Sequence, residues 1–167
     1  MSGSGASHEA VYRPLSGIAE SQAAIDEVIA AARQTLRLFD MSLMHRGFNS
    51  PARIDGLRRF LVAGRAHRML VALHEVEGLE RDAPRLLALL RQYPMSIEIH
   101  RTIGQARKAM DPFLVADDHA AWHQLHHEQP RAIVALHSPP DAIPLVQRFD
   151  EIWELSEPCA LGRVLGL

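Results

Sequence analysis

Ten histidines occur among 167 residues, and four of them (His119, His123, His126 and His127) crowd into one short stretch. Clustered imidazoles can ligate a metal or carry protons near neutral pH. On a strand, positions 119 and 123 face the same way and could join Asp117 or Asp118 around a cation. Positions 126 and 127, however, fall in a loop, and no regular ligand spacing such as His-Glu-x-x-His is present. The cluster therefore reads as polar side chains on an exposed hairpin face, and no metal is expected. Arg101, Arg107 and Lys108 form the densest basic group, which could hold a phosphate or carboxylate by charge-assisted hydrogen bonds. If that group lines a pocket near strand ends, His100, Asp117 and His123 are the next candidates to line it. His45-Arg46 could reach the same rim. Cys159 has no base partner nearby in sequence and reads as an inert thiol. Gly-rich phosphate loops, a Gly-x-Ser-x-Gly elbow and zinc-type cysteine pairs do not occur, so no cofactor is expected.

The chain's composition bounds these readings. Hydrophobic residues make up 47% and charged residues 23%, ordinary globular values that exclude a disordered or fibrous protein. The formal charge of −2, from 18 basic and 20 acidic residues, argues against nucleic acid or an anionic membrane as the main partner. One cysteine forms no intrachain disulfide and fits a reducing compartment. The first ten residues lack the basic start and apolar stretch of a secretory signal. The longest apolar run, Met69 to Leu73, is far short of the ~20 residues that span a bilayer. A cytoplasmic protein without membrane insertion is expected. Lys108 is the sole lysine beside 17 arginines, and their scatter along the chain reads as the codon usage of a G- and C-rich genome.

The elements that would position these residues follow from periodicity. Residues 1–19 carry Ser, Gly and Pro without a period and read as a mobile N-terminal arm; residues 20–167 read as a single α/β domain. Ser21 is placed to cap a helix with Ile25, Val28, Ile29 and Ala32 on one face. Leu36 to Phe39 reads as a strand ending at Asp40, and Ser50-Pro51 as a helix start. Helices are expected after Ser50, Asp82 and Ser138, the last with the stripe Ile143, Val146, Phe149, Ile152 and Trp153. Strands are expected over residues 68–74, 96–101, 112–116, 120–124 and 132–136, with a polar loop over 125–130. Trp122 sits on the hairpin as a core or seam residue. This order predicts a mixed sheet flanked by helices.

Three stretches carry a family resemblance. Arg65 to Val71 after the helix from Pro51, Asp111 to Asp118, and Phe149 to Glu154 resemble half of the phospholipase D-like fold. That family's activity rests on His-x-Lys-x-x-x-x-Asp, in which histidine attacks phosphorus and lysine clamps the phosphoryl oxygens. With the aspartate aligned on Asp117, Met110 takes the histidine's place and Pro112 the lysine's. The resemblance thus implies a bacterial, non-catalytic binding or regulatory domain, with a phosphorylated or anionic small ligand. A homodimer or another protein partner is equally compatible. A second reading is a phosphodiesterase or phosphatase using His100 or His123 with Arg101 or Lys108 as substitutes. A third is a structural module for protein–protein contact.

Overall fold

The computed structural model describes residues 8–159 and Leu161. Eight strands form one mixed sheet: β1 (Val11–Leu15), β2 (Thr35–Asp40), β3 (Arg68–Leu73), β4 (Ile97–Thr102), β5 (Phe113–Ala116), β6 (Ala120–His126), β7 (Gln129–Leu136) and β8 (Ser156–Pro158). Five helices accompany them: α1 (Ile18–Ala31), α2 (Pro51–Val62), the short α3 (Leu79–Asp82), α4 (Pro84–Gln92) and α5 (Pro139–Glu154). The strand order is β1-β7-β6-β5-β2-β3-β4-β8, with β2, β3 and β4 parallel and every other neighbour antiparallel. The expected mixed sheet flanked by helices is therefore the architecture observed. Among the described residues, no helix is long and apolar enough to cross a membrane.

Several local expectations shift. Residues 11–15, read as part of a mobile arm, form edge strand β1, in register from Val11 opposite Leu136 to Leu15 opposite Ala132. Pro14 belongs on such an edge, where a missing donor is tolerated, and only Leu15 of the strand is fully buried, which is why its alternation is faint in the sequence. Residues 1–7 of that arm lie outside the described residues. Helix α1 starts at Ile18 behind an extended Gly17 with no side-chain cap, whereas Ser21, the expected cap, is buried one turn inside. Ser50 does cap α2, accepting the Arg53 amide with Pro51 in the first turn. The loop expected over residues 125–130 is instead a tight turn, because Gln124 at a β-bulge stitches it together. Its side-chain amide donates to the carbonyls of His126, His127 and Gln129 at 2.9, 3.2 and 2.8 Å. Burial along α5 runs through Ala142, Leu145, Phe149 and Ile152; Ile143 points outward, and Trp153 is half-buried against His100.

Alternation along each strand divides the interior in two. Leu36, Leu38, Met69, Val71, Leu114 and Trp122 face α1, α2 and α4, forming the larger core. Phe39, Ala72, Phe113, Val115 and Ala121 face α5, forming the smaller one. Strand directions fix what meets at each rim. The carboxyl ends of β2, β3, β4 and β6 lie together with the starts of β5, β7 and α1. Asp40, His74, Thr102, Asp111, Gln124 and His127 are thereby gathered at one rim, while Asp117 closes β5 at the other.

Candidate functional site

Strand β2 buries Leu36, Leu38 and Phe39 and ends at Asp40, whose carboxylate is almost fully buried. The loop after β2 returns Arg46 onto it: Nε donates to Oδ2 at 2.8 Å and Nη2 to Oδ1 at 3.3 Å. Arg46 Nη1 donates to Gln124 Oε1 at 2.8 Å, and the guanidinium lies 5.1 Å over the Trp122 ring. Burial pushes the Asp40 carboxyl above its usual range, and the Arg46 charge opposes that rise. The loop is pinned from beneath by Arg53, itself buried. Its guanidinium donates to Asp26 at 2.5 Å and to the carbonyls of Arg46 and Gln22 at 2.7 and 2.9 Å. Gly47, at φ 83°, turns tightly enough above Arg53 that only glycine sits there without strain.

Between the first turns of α1, this loop and the β6–β7 turn opens a cleft of about 290 Å³. Its wall is apolar at Ile18, Ile25 and Met44 and polar at Ser21, Arg46, Gln124 and His127. The Nδ1 atom of His127 is buried without a hydrogen-bond partner.

On the other side of the rim, His74 is buried between Thr102 Oγ1 at 2.5 Å and the Ala109 carbonyl at 2.7 Å. The carbonyl can only accept, so Nε2 carries the proton and Nδ1 accepts from the threonine hydroxyl. Burial pushes this imidazole below its ordinary value, favouring the neutral form. His123 Nε2 lies 2.8 Å from Asp111, which also pairs with Arg148. Burial alone would raise the Asp111 carboxyl, but the His123 hydrogen bond and the Arg148 charge outweigh it and hold it low.

The residues expected from sequence to line one ligand pocket occupy separate places. Arg101 faces the α4 side and pairs with Glu77. Arg107 donates to the His74 carbonyl at 3.1 Å. Lys108 is exposed in a shallow groove beside Arg148 and Glu151. His100 is held between Glu98 and Ser156, both at 2.8 Å, and stacks on Trp153 with ring centroids 3.6 Å apart. Asp117 lies at the opposite rim, roughly 20 Å along the strand from Asp111. There its carboxylate accepts the amides of Arg33, Gln34 and Thr35 at 2.7, 3.0 and 2.8 Å. The histidine stretch also disperses: His119 stays near Asp117, His123 turns toward α5, His126 ends β6 opposite Gln129, and His127 enters the turn. Of the residues singled out from the sequence, His45, Arg46 and His127 line the cleft. Asp40 and Gln124 were missed, although a carboxylate directly after Leu38-Phe39 at a strand end and an amide interrupting another strand were visible signals.

The strand order and the helices packed on both faces give this chain a fold like that of phospholipase D family members. Nuc from Salmonella typhimurium, described as a phospholipase D family member, superposes with a TM-score of 0.64 at 12% identity, over 90% of this chain and 99% of that one. NucT from Helicobacter pylori superposes at 0.63 and 11%, over 90% and 100%. The archaeal chromatin protein TrmBL2, described with a novel mode of DNA binding, matches at 0.61 and 17% over 89% of this chain, which spans about half of that protein's length (54%). Likeness at these identities establishes the fold alone. No curated protein sequence matches the chain. By its sequence the chain belongs to the family described as Domain of unknown function (DUF7931), whose model matches residues 18–165.

Proposed function

We propose that this chain is a non-catalytic binding module on a phospholipase D-like frame, holding a small ligand in the cleft between α1 and the β6–β7 turn. The observation that carries this reading is the internal engagement of the rim. A nucleophilic histidine needs a free ring nitrogen facing phosphorus, and a phosphoryl clamp needs an unmatched cation. His74 and His100 have both ring nitrogens hydrogen-bonded to protein groups, His123 is bonded through Nε2 to Asp111, and Arg46, Arg101 and Arg148 are each paired with a carboxylate. Met110 and Pro112, at the aligned histidine and lysine positions, lie in the segment just before β5 and carry side chains that neither attack nor clamp. Asp117, at the aligned aspartate position, has a structural task at the far rim, which accounts for an aspartate there without the chemistry.

The basic loop is a poorer site than the cleft, because Arg101 and Arg107 already have internal acceptors. Thermal unfolding of the full chain against a panel of sugars, amides, nucleosides, sugar phosphates and inorganic phosphate tests the reading. A compound at 100 times its Kd stabilises the native state by about 2.7 kcal/mol, on the order of 5 to 10 °C for a chain this size. Such a shift, abolished by Met44→Trp, which fills the cleft from its exposed edge, supports the module. A shift indifferent to Met44→Trp removes the cleft as its site.

A further inference from the structure

We propose that the groove between α1 and α2 receives an acidic amphipathic helix of a partner protein. The inference does not depend on the cleft, which lies at the opposite end of α1. The groove holds about 430 Å³, with Ile29 and Ala30 of α1 on one side and Gly56, Phe60 and Ala63 of α2 on the other. Gly56 asks for an occupant. It sits in the middle of α2, where glycine weakens a helix relative to alanine. The fold itself does not require it: a Cβ at residue 56 would meet no neighbour closer than Arg59 Nη2, at 3.7 Å. A bare backbone in an open groove lets a second helix approach closely.

Charge selects the occupant. Arg59 lines the groove, Arg33 directly follows Ala32 of its lining, and Arg65 stands two residues past Ala63. All three are exposed, and among the described residues no carboxylate pairs with any of them. Asp26, the carboxylate of the lining, is taken by Arg53 at 2.5 Å, and Asp55 by Arg58 at 3.3 Å. Unmatched arginines beside an apolar groove favour a partner that brings both carboxylates and hydrocarbon. The shape favours a helix. Both walls are helices whose backbone groups are bonded internally, so an extended peptide finds no sheet edge to join. From Ala52 to Ala63 the groove runs roughly 16 Å along α2, the length of about three helical turns. Ile29 and Phe60, both nearly buried, make its floor apolar, which gives a phosphate backbone nothing to contact.

The test follows the fluorescence anisotropy of labelled probes titrated with the full chain. One probe is a synthetic helix of about 16 residues, with leucine and alanine on one face and glutamate on the other. The same helix carrying lysine in place of glutamate, and a DNA duplex, are the comparisons. The glutamate helix is expected to bind saturably, on the order of tenfold more tightly than the lysine helix. Gly56→Leu, which fills the groove, and Arg59→Glu are each expected to weaken it by a similar factor. Lys108→Glu, the same change of charge at the opposite rim, leaves it unchanged. A Tm of Gly56→Leu at or above that of the parent shows that the fold is kept, and Arg59→Glu carries the test alone if it is not. Absent binding of the glutamate helix, equal binding of both helices, or binding indifferent to Gly56→Leu and Arg59→Glu overturns the proposal. Tighter binding of the duplex, lost in Arg59→Glu, overturns it in favour of a phosphate backbone. A concentration-dependent dimer of the parent that is absent in Gly56→Leu overturns it in favour of a second copy.

Discussion

Arg46 meets Asp40 through two hydrogen bonds, at 2.8 and 3.3 Å, with the carboxylate 3% and the guanidinium 13% exposed. Removing one partner of such a pair strands a charge in a low dielectric, which costs far more than the intact pair contributes. Arg46→Met is therefore expected to lower stability by about 3 kcal/mol, on the order of 10 °C in Tm. The double variant Asp40→Leu with Arg46→Met is expected to recover most of that loss, because the stranded charge is gone. Urea unfolding of the two variants checks the pair. A single variant within ~0.5 kcal/mol of the parent would show the carboxylate to be solvated after all.

Asp117 tests how much of the opposite rim depends on one side chain. Its two oxygens accept three consecutive amides at the start of β2, and its own φ of 51° lies in the left-handed region that Asp and Asn tolerate. Asp117→Ala is expected to cost about 2 kcal/mol, by losing those acceptors and adding backbone strain. Asp117→Asn keeps one oxygen and the backbone preference and is expected to cost about half as much. Cleft resonances should stay in place in both. Movement of the Ser21 and His127 amides would instead couple the two rims.

The His74 site makes stability depend on pH. Burial holds the folded imidazole below its ordinary value, so the folded form binds fewer protons than the unfolded chain near that value. The stabilisation is present above about pH 6.5 and is lost as pH falls through the lower folded value. Arg107 works in the same direction as burial, while Asp40 and Glu75 oppose it. Asp40 itself has the opposite sign: its raised carboxyl stabilises the fold at acid pH and loses that contribution as pH climbs. Urea midpoints measured from pH 8 to 5 should fall toward acid less steeply in His74→Gln than in the parent. Parallel profiles would contradict the assignment.

Much of the fold was legible because each central element carries a strong local signal. Ser50-Pro51 caps a helix on its own, and the alternation of Ile97 and Ile99 with Glu98 and His100 is a strand in any context. Edge strand β1 was hidden because Val11 to Leu15 buries little and contains proline. The site was harder to read for a topological reason. Asp40 and Arg46 lie 78 or more residues before Gln124 and His127, and the two pairs meet only because antiparallel β5, β6 and β7 join parallel β2 at one rim. Arg101 and Lys108 are close in sequence but diverge, since alternation turns Arg101 toward α4 while a 3-10 turn carries Lys108 toward α5. Density of charge along the chain therefore pointed to the wrong side of the molecule from the cleft.

The claim that binding has replaced catalysis on this frame is tested most directly by turnover. The purified full chain is incubated with bis(p-nitrophenyl) phosphate at pH 5 to 9, with and without magnesium and manganese, beside His123→Ala and His100→Ala. Release of nitrophenol no faster than in buffer, for parent and variants alike, is the predicted result. Release well above buffer that disappears in His123→Ala or His100→Ala would contradict the account and make the rim an active site.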